Sequence, residues 1–345
     1  MAEYYFNLPQ ITSLTLPQQA ALNETKPIAL SGGPGTGKSV VSLWRHILNY
    51  QQNKKSLLLT YTTTLKEYLK ACCRTQNSDA ADNVATSLSS RWVIKNRRFN
   101  EIIIDEAQDL SFDFYNGILS DVSYGADDSQ ILYLEHCSTQ EQLKELFPNN
   151  VDCVLSKNFR STQSIMKFAK SVFVNAVISR EIIDGLANNI GELPVFMITR
   201  GGKFDATNNQ QDSAIIEIIN NFRSDTHNIA ILVPWKKDVC VFEQMLNNKG
   251  FHEFSLYYED NNRFPGGCCS NIKNVHITTF KSAKGLEFDT VIIPNFNKYN
   301  EICGRFNIDW QDFYVACTRA KSNLYLISNC DMSCVSSSVV EKVRL

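Results

Sequence analysis

The chain has 345 residues, with 34 Lys+Arg against 36 Asp+Glu and a formal charge of −2. A composition 43% hydrophobic and 20% charged supplies cores for two domains of ordinary size and excludes long disorder. No apolar run approaches the ~20 residues that span a bilayer. The start Met1-Ala2-Glu3-Tyr4-Tyr5 lacks the basic and apolar pattern of a secretory signal, so a cytoplasmic chain without membrane association is expected. A charge near zero does not exclude nucleic acid, because a local basic groove is compatible with it. The 11 cysteines are scattered and form no Cys-x-x-Cys, so reduced thiols are expected and a zinc site is not.

In chain order, residues 27–30, 56–60, 102–104 and 130–133 read as buried strands. Helical spacing of apolar residues over 40–50 (Val40, Leu43, Trp44, Ile47, Leu48) and 64–73 (Leu65, Tyr68, Leu69) places helices after the first two. Continuous apolar strands alternating with helices predict a parallel sheet covered on both faces. A second set follows: strands at 195–198, 229–233, 275–278, 291–293 and 324–327, with helices at 162–176, 212–222, 239–249 and 309–320. The expectation is two tandem α/β domains, 1–150 and 151–345. Segments 75–90 and 260–270 read as surface loops.

Gly32-Gly33-Pro34-Gly35-Thr36-Gly37-Lys38-Ser39 matches G-x-x-x-x-G-K-[ST] between an apolar strand and an amphipathic helix. The glycines let backbone N–H groups curl around phosphates at the positive end of the following helix. Lys38 supplies charge to the β- and γ-oxygens, and Ser39 a hydroxyl to Mg²⁺. Ile102-Ile103-Ile104-Asp105-Glu106 is an apolar strand ending in two acids. Asp105 is placed to anchor Mg²⁺ and Glu106 to polarise an attacking water, which is the equipment of hydrolysis. Asp105 as a simple helix cap is the alternative.

Asp105-Glu106-Ala107-Gln108-Asp109 resembles the second motif of the UvrD/Rep-like superfamily 1 helicases, and further motifs follow in order from about residue 14 to 328. Leu14-Thr15-Leu16-Pro17-Gln18 resembles the adenine-recognition motif, with Gln18 as its glutamine. Leu59-Thr60-Tyr61-Thr62 resembles the motif that touches single-stranded DNA. Gly125-Ala126-Asp127-Asp128-Ser129-Gln130 resembles the third motif, whose Gln130 would reach the γ-phosphate. Asn158-Phe159-Arg160-Ser161 resembles the fourth, with Phe159 over the adenine and Arg160 on phosphate. The run Thr278 to Phe288 resembles the fifth, with Gly285 and a ribose-contacting Glu287. Tyr314-Val315-Ala316-Cys317-Thr318-Arg319-Ala320 resembles the sixth. The resemblance implies two RecA-like P-loop domains with ATP in the interdomain cleft. Arg160 and Arg319 would then be arginine fingers for the transition-state charge. Surface ion pairing is the alternative for either arginine, and core packing the alternative for Phe159.

Two departures stand out. The stretch from Tyr61 to Asp105 and that from Arg160 to Thr278 are filled by the strands and helices already read, so the family's large inserted subdomains have no room. After Gln130 the chain reads Ile131-Leu132-Tyr133-Leu134-Glu135-His136, where the family carries a Trp that stacks on a base. The fifth motif has Phe280 where a His is common. Tyr61, Phe280, Lys281 and Lys284 are the candidate nucleic-acid contacts, with packing as the alternative for Tyr61 and Phe280. The basic stretch 91–98 reads either as a groove flank or as a solvated face.

The resemblance thus implies an ATP hydrolase using ATP and Mg²⁺, a minimal motor on single-stranded DNA with RNA as the alternative substrate. Weak or partner-dependent unwinding is expected. The competing expectation is an ATPase switch that regulates a protein partner, such as a nuclease in a defence or repair complex.

Overall fold

The computed structural model describes residues 8–132, 136–176, 178, 180–186, 188–200, 209–257 and 272–345. Two compact units are present. One ends at Phe159 and the other runs from Arg160 to Leu345.

In the first unit the strands are β1 (Ile28–Ser31), β2 (Ser56–Thr60), β3 (Val84–Thr86), β4 (Glu101–Ile104), β5 (Val122–Ala126) and β6 (Val151–Val154). They form one parallel sheet in the order β3-β2-β4-β5-β1-β6. The helices are α1 (Leu16–Asn23), α2 (Lys38–Gln51), α3 (Thr63–Arg74), α4 (Ser78–Ala81), α5 (Ser87–Asn96) and α6 (Gln140–Leu146). Alternate strand residues face opposite layers. Leu57, Leu59, Ile102 and Ile104 pack with Phe114, Tyr115 and Tyr124. Leu58 and Ile103 pack on the other side with Leu43, Trp44, Ile47, Leu65 and Leu69 of α2 and α3. Both faces are therefore apolar, which is why these strands read as unbroken hydrophobic runs.

The second unit has β7 (Val195–Ile198), β8 (Ile229–Val233), β9 (Ser255–Tyr257), β10 (Val275–Thr279), β11 (Phe288–Ile293), β12 (Ala320–Ser328) and β13 (Glu341–Arg344). They lie parallel in the order β13-β7-β12-β11-β8-β10-β9. Its helices are α7 (Gln163–Val172), α8 (Arg180–Asp184), α9 (Asn209–Phe222), α10 (Lys236–Asn248), α11 (Lys298–Ile302) and α12 (Trp310–Cys317). One layer of its core is mostly aliphatic, with Ile229, Ile231, Val275 and Ile277 under Ile215, Ile219, Val239 and Leu246. Elsewhere the core is aromatic, with Phe168, Phe173, Phe196, Phe296, Tyr299, Phe313 and Tyr314 in largely edge-to-face contacts.

Two parallel α/β sheets are present, as the alternation of elements predicts, and three details differ. The strand expected at 130–133 lies instead at Val122–Ala126. Ile131 and Leu132 are buried outside any strand, and Tyr133 lies outside the described residues. Segment 75–90 is not a plain loop: it holds α4, β3 and the start of α5, with Ala80 and Ala81 fully buried. The division between units falls after Phe159 rather than after Asn150, because β6 pairs with β1 in the first sheet. The expected loop 260–270 and Glu135 lie outside the described residues. Among the described residues no helix is long and apolar enough to cross a membrane.

Candidate functional site

β1 delivers the glycine-rich loop, and α2 begins at Lys38. A Cβ on Gly32 would lie 2.2 Å from the Leu155 carbonyl oxygen, and one on Gly37 would lie 2.4 Å from Gln18 Nε2. Gly37 also has a φ of 88°, so both positions demand glycine on steric grounds. Thr36 Oγ1 donates to the Gly33 carbonyl at 2.9 Å and closes the loop on itself. Lys38 Nζ donates to the carbonyls of Gly32 (2.7 Å) and Gly33 (3.1 Å) and lies 3.6 Å from Asp127 Oδ2. Gly33, Pro34, Gly35 and Thr36 form the arc between these anchors, and Ser39 follows Lys38 half-buried in the first turn of α2.

Gln18 is nearly buried and uses both ends of its amide. Its Oε1 accepts from Thr15 N at 2.9 Å, completing a capping box on α1. Its Nε2 donates to the Thr36 carbonyl at 3.1 Å, tying α1 to the loop. The segment before the unit boundary is pinned to the same loop. Asn158 Nδ2 donates to the Pro34 carbonyl at 2.9 Å and Phe159 N to the Gly35 carbonyl at 2.8 Å. The Phe159 ring is 47% exposed, with Lys157 Nζ 5.1 Å from its centroid. The ring is thus fixed beside the glycine-rich loop and is not part of the core.

β4 delivers Asp105 and Glu106 beside that loop. The position a Gly125 Cβ would take is 3.5 Å from Lys38 Cβ and 3.6 Å from Asp105 Oδ1. Lys38 and Asp105 therefore meet over Gly125 of β5, and both are nearly buried. Glu106 adopts a left-handed backbone (φ 58°, ψ 46°), a conformation that costs an L-residue about 1–2 kcal/mol. Strain of this kind tends to collect where a side chain must be aimed.

Gln108 holds Glu106. Its Nε2 donates to Glu106 Oε2 at 2.5 Å, and its Oε1 accepts from Asp127 N at 3.2 Å. Asp127 then orders the third motif. Its Oδ2 accepts from Gln130 Nε2 at 2.6 Å, and its Oδ1 from Ser129 Oγ at 2.6 Å. Glu106, Gln108, Asp127 and Gln130 form one buried polar chain reaching Lys38. Only the contact across to Asp127 reveals Gln108, and it spans 19 positions.

In the second unit Arg160 Nε donates to Glu287 Oε1 at 2.8 Å. Burial raises the Glu287 pKa, but the charge and hydrogen bond of Arg160, with Lys321 and Arg319 nearby, outweigh it and hold the carboxyl below its ordinary value. Arg319 is fully buried, with Nε donating to the Val315 carbonyl at 3.0 Å and Nη1 directed to that of Leu286 at 3.5 Å. Gly285 (φ 82°) turns the chain beside it. Both arginines and Glu287 are thus gathered in one unit, with Glu287 paired to arginine.

The nucleic-acid candidates fare unevenly. Tyr61 follows β2 and is half-buried against the first core. Lys281 is partly exposed, with Nζ donating to the Asn307 carbonyl at 3.0 Å. Phe280 has no exposed surface and packs against Phe313 at 5.0 Å between centroids. Lys284 is 1% exposed. In this structure Phe280 is core and Lys284 is interior, so neither presents a face to a strand.

The family model of the UvrD-like helicase C-terminal domain matches residues 267–331. This stretch is similar to that domain. The matched residues include β10, β11, α12 and all of β12, and so carry Glu287 and Arg319. Over 290 residues the chain is 25% identical to a protein of Acanthamoeba polyphaga mimivirus named as an ATP-dependent DNA helicase. That match covers 75% of this chain and 38% of the relative. Over 85 residues the chain is 34% identical to the RecBCD enzyme subunit RecB of Chlamydia pneumoniae, covering 25% of this chain and 8% of that one. The chain thus spans well under half the length of either relative. Among solved structures, an arterivirus nonstructural protein 10 (helicase) aligns over 94% of this chain and 63% of its own, at 13% identity and a TM-score of 0.43.

Proposed function

We propose that the chain is an ATP-hydrolysing motor of the UvrD-like helicase type, acting on single-stranded DNA with weak or partner-dependent unwinding. The observation that carries this reading is the assembly around Gly125, where Lys38, Asp105 and the Glu106–Gln108–Asp127–Gln130 chain meet the phosphate loop.

ATP enters the reading as substrate. Loop N–H groups and Lys38 would hold the β- and γ-phosphates, and Phe159 would stack on the base. The donor set suits Mg²⁺, which a buried carboxylate on Asp105 and the hydroxyl of Ser39 would hold. Bound there, Mg²⁺ would neutralise developing phosphate charge. Gln108 holds the Glu106 carboxylate in position to take a proton from water. The water oxygen then bonds to the γ-phosphorus, the bond to the β–γ bridging oxygen breaks, and ADP and phosphate leave. Gln130 would orient the attacked group, and Arg160 and Arg319 are the cations proposed to answer the transition-state charge. Gln18 supports the loop from behind and reads the base edge with its remaining amide capacity. Gly285 and Glu287 would contact the nucleotide after Arg160 exchanges partners.

Tyr61 and Lys281 remain the proposed strand contacts. The burial of Phe280 and Lys284 favours a second reading, in which an ATPase switch drives a protein partner such as a nuclease. ATPase rates with and without single-stranded DNA or RNA decide between them. The motor reading expects stimulation of tenfold or more, and no stimulation by any nucleic acid would leave the switch.

A further inference from the structure

α5 is an amphipathic helix turned inside out. Residues at helical spacing on its inward face are small and polar: Ser87 and Ser90 are buried there, with Ile94 as the only large apolar residue. Its outward face carries Leu88 (69% exposed) and Trp92 (66% exposed), one turn apart, with exposed Arg91 and Lys95 between and beyond them. A helix shaped for packing alone would turn Leu88 and Trp92 toward the sheet. Trp92 makes little use of its large apolar surface within the chain, and such surface in the open marks a contact site.

Charge identifies what that contact is with. From Asn83 to Asn100 there are four cations, Arg91, Lys95, Arg97 and Arg98, and no acid, in a chain whose net charge is −2. All four cations are exposed. An aromatic platform set among cations fits the bases and phosphates of a single strand: every base offers a π-face and every linkage a negative charge. Location agrees. Thr60 of β2 and Thr86 of β3 are register partners at the carboxyl ends of adjacent parallel strands. Tyr61 follows one strand end and α5 the other. Ligands of open α/β sheets bind at this edge.

We infer that the outward face of α5, namely Leu88, Arg91, Trp92 and Lys95, is a single-stranded nucleic-acid contact with Trp92 as its base-stacking platform. The inference rests on the motor reading above. It supplies a stacking aromatic in the chain that carries Ile131-Leu132 after Gln130.

Intrinsic fluorescence of the full chain, titrated with oligo(dT) or oligo(rU), tests it. Of the four tryptophans, Trp44 is nearly buried and Trp235 and Trp310 are half-buried, so Trp92 should dominate any quench. The wild type should quench, and Trp92→Ala should abolish the quench and weaken binding about tenfold or more. Trp92→Phe should recover most of the affinity without the signal. Arg91→Ala and Lys95→Ala should each lower the slope of log affinity against log salt by about 0.7. ATPase activity without nucleic acid should be unchanged in all four variants, which also confirms folding. A wild type that binds oligonucleotide, with Trp92→Ala binding equally well, would overturn the inference and leave the motor standing. A wild type that neither binds oligonucleotide nor is stimulated by it would overturn both.

Discussion

The carboxyl edge of the first sheet and the segment 279–288 of the second unit both carry residues singled out for function, and the fold treats them differently. At the first edge, Lys38, Asp105 and Glu106 leave strand or loop ends; Lys38 and Asp105 lie against Gly125, Gln108 holds Glu106, and Asp127 lies 3.6 Å from Lys38. In 279–288 the chain turns tightly after β10, with Phe280 packed on Phe313 and Lys284 interior. Parallel strands project the residue after their last apolar position to a common edge, so strand-end acids and loops converge without further instruction. A turn under a helix has no such rule, and its residues face wherever volume is available.

The contrast breaks first at Glu106 and Lys38. Glu106→Gln and Lys38→Ala should each lower ATP turnover by about a thousandfold or more, read as steady-state phosphate release. Phe280→Ala should destabilise the second unit by about 3–5 kcal/mol in chemical denaturation, the cost of emptying a core aromatic. An exposed strand contact would lose affinity instead and leave stability within about 0.5 kcal/mol, and Lys281→Ala is expected to behave that way. Gln108→Leu removes the donor to Glu106 and the acceptor for Asp127 N. It should lower kcat about ten- to a hundredfold with the KM for ATP little changed, whereas a merely structural role would move stability alone.

The smallest effects are in acid. His46 lies between Ser56 Oγ (2.8 Å) and the Ala80 carbonyl oxygen (2.9 Å), so Nε2 carries the proton and Nδ1 accepts. Burial pulls its pKa down to about 4, and does the same to His276 in the second unit. The unfolded chain binds protons near pH 6.5 that these folded sites refuse. Their contribution to stability is therefore complete above pH 6.5 and lost as pH falls toward 4. Asp312 acts in the opposite sense: burial raises it to about 6, so it favours the fold at low pH and loses that contribution as pH rises through 6. Denaturation of the wild type and of His46→Gln at pH 7 and pH 4.5 should show a shallower pH dependence in the variant.

Long apolar runs were legible in the sequence. Strands 195–198 and 229–233 appear at their expected ends because both are hydrophobic throughout and bounded by turn residues. β5 was not, since Ser123 and Gly125 interrupt its pattern, while Ile131-Leu132 imitates a strand without being one. β6 and β13 also escaped, and both lie at sheet edges, where Asp152, Glu341 and Lys342 are tolerated. At the site, Lys38 and Asp105 were legible because spacing and strand ends determine them. Gln108 was not, because its meaning lies in Asp127, a partner with no local signature. The inward turn of Phe280 depends on Phe313, which is more remote in sequence still.

The most direct test of the Gly125-centred site is a paired measurement on Glu106→Gln: equilibrium binding of ATP with Mg²⁺, and single-turnover hydrolysis with single-stranded DNA present. The proposed roles predict near wild-type binding with hydrolysis reduced about a thousandfold, because Lys38, Asp105 and the loop remain while the proposed proton acceptor is lost. Hydrolysis at the wild-type rate would contradict the assignment of Glu106, and with it the account of the site.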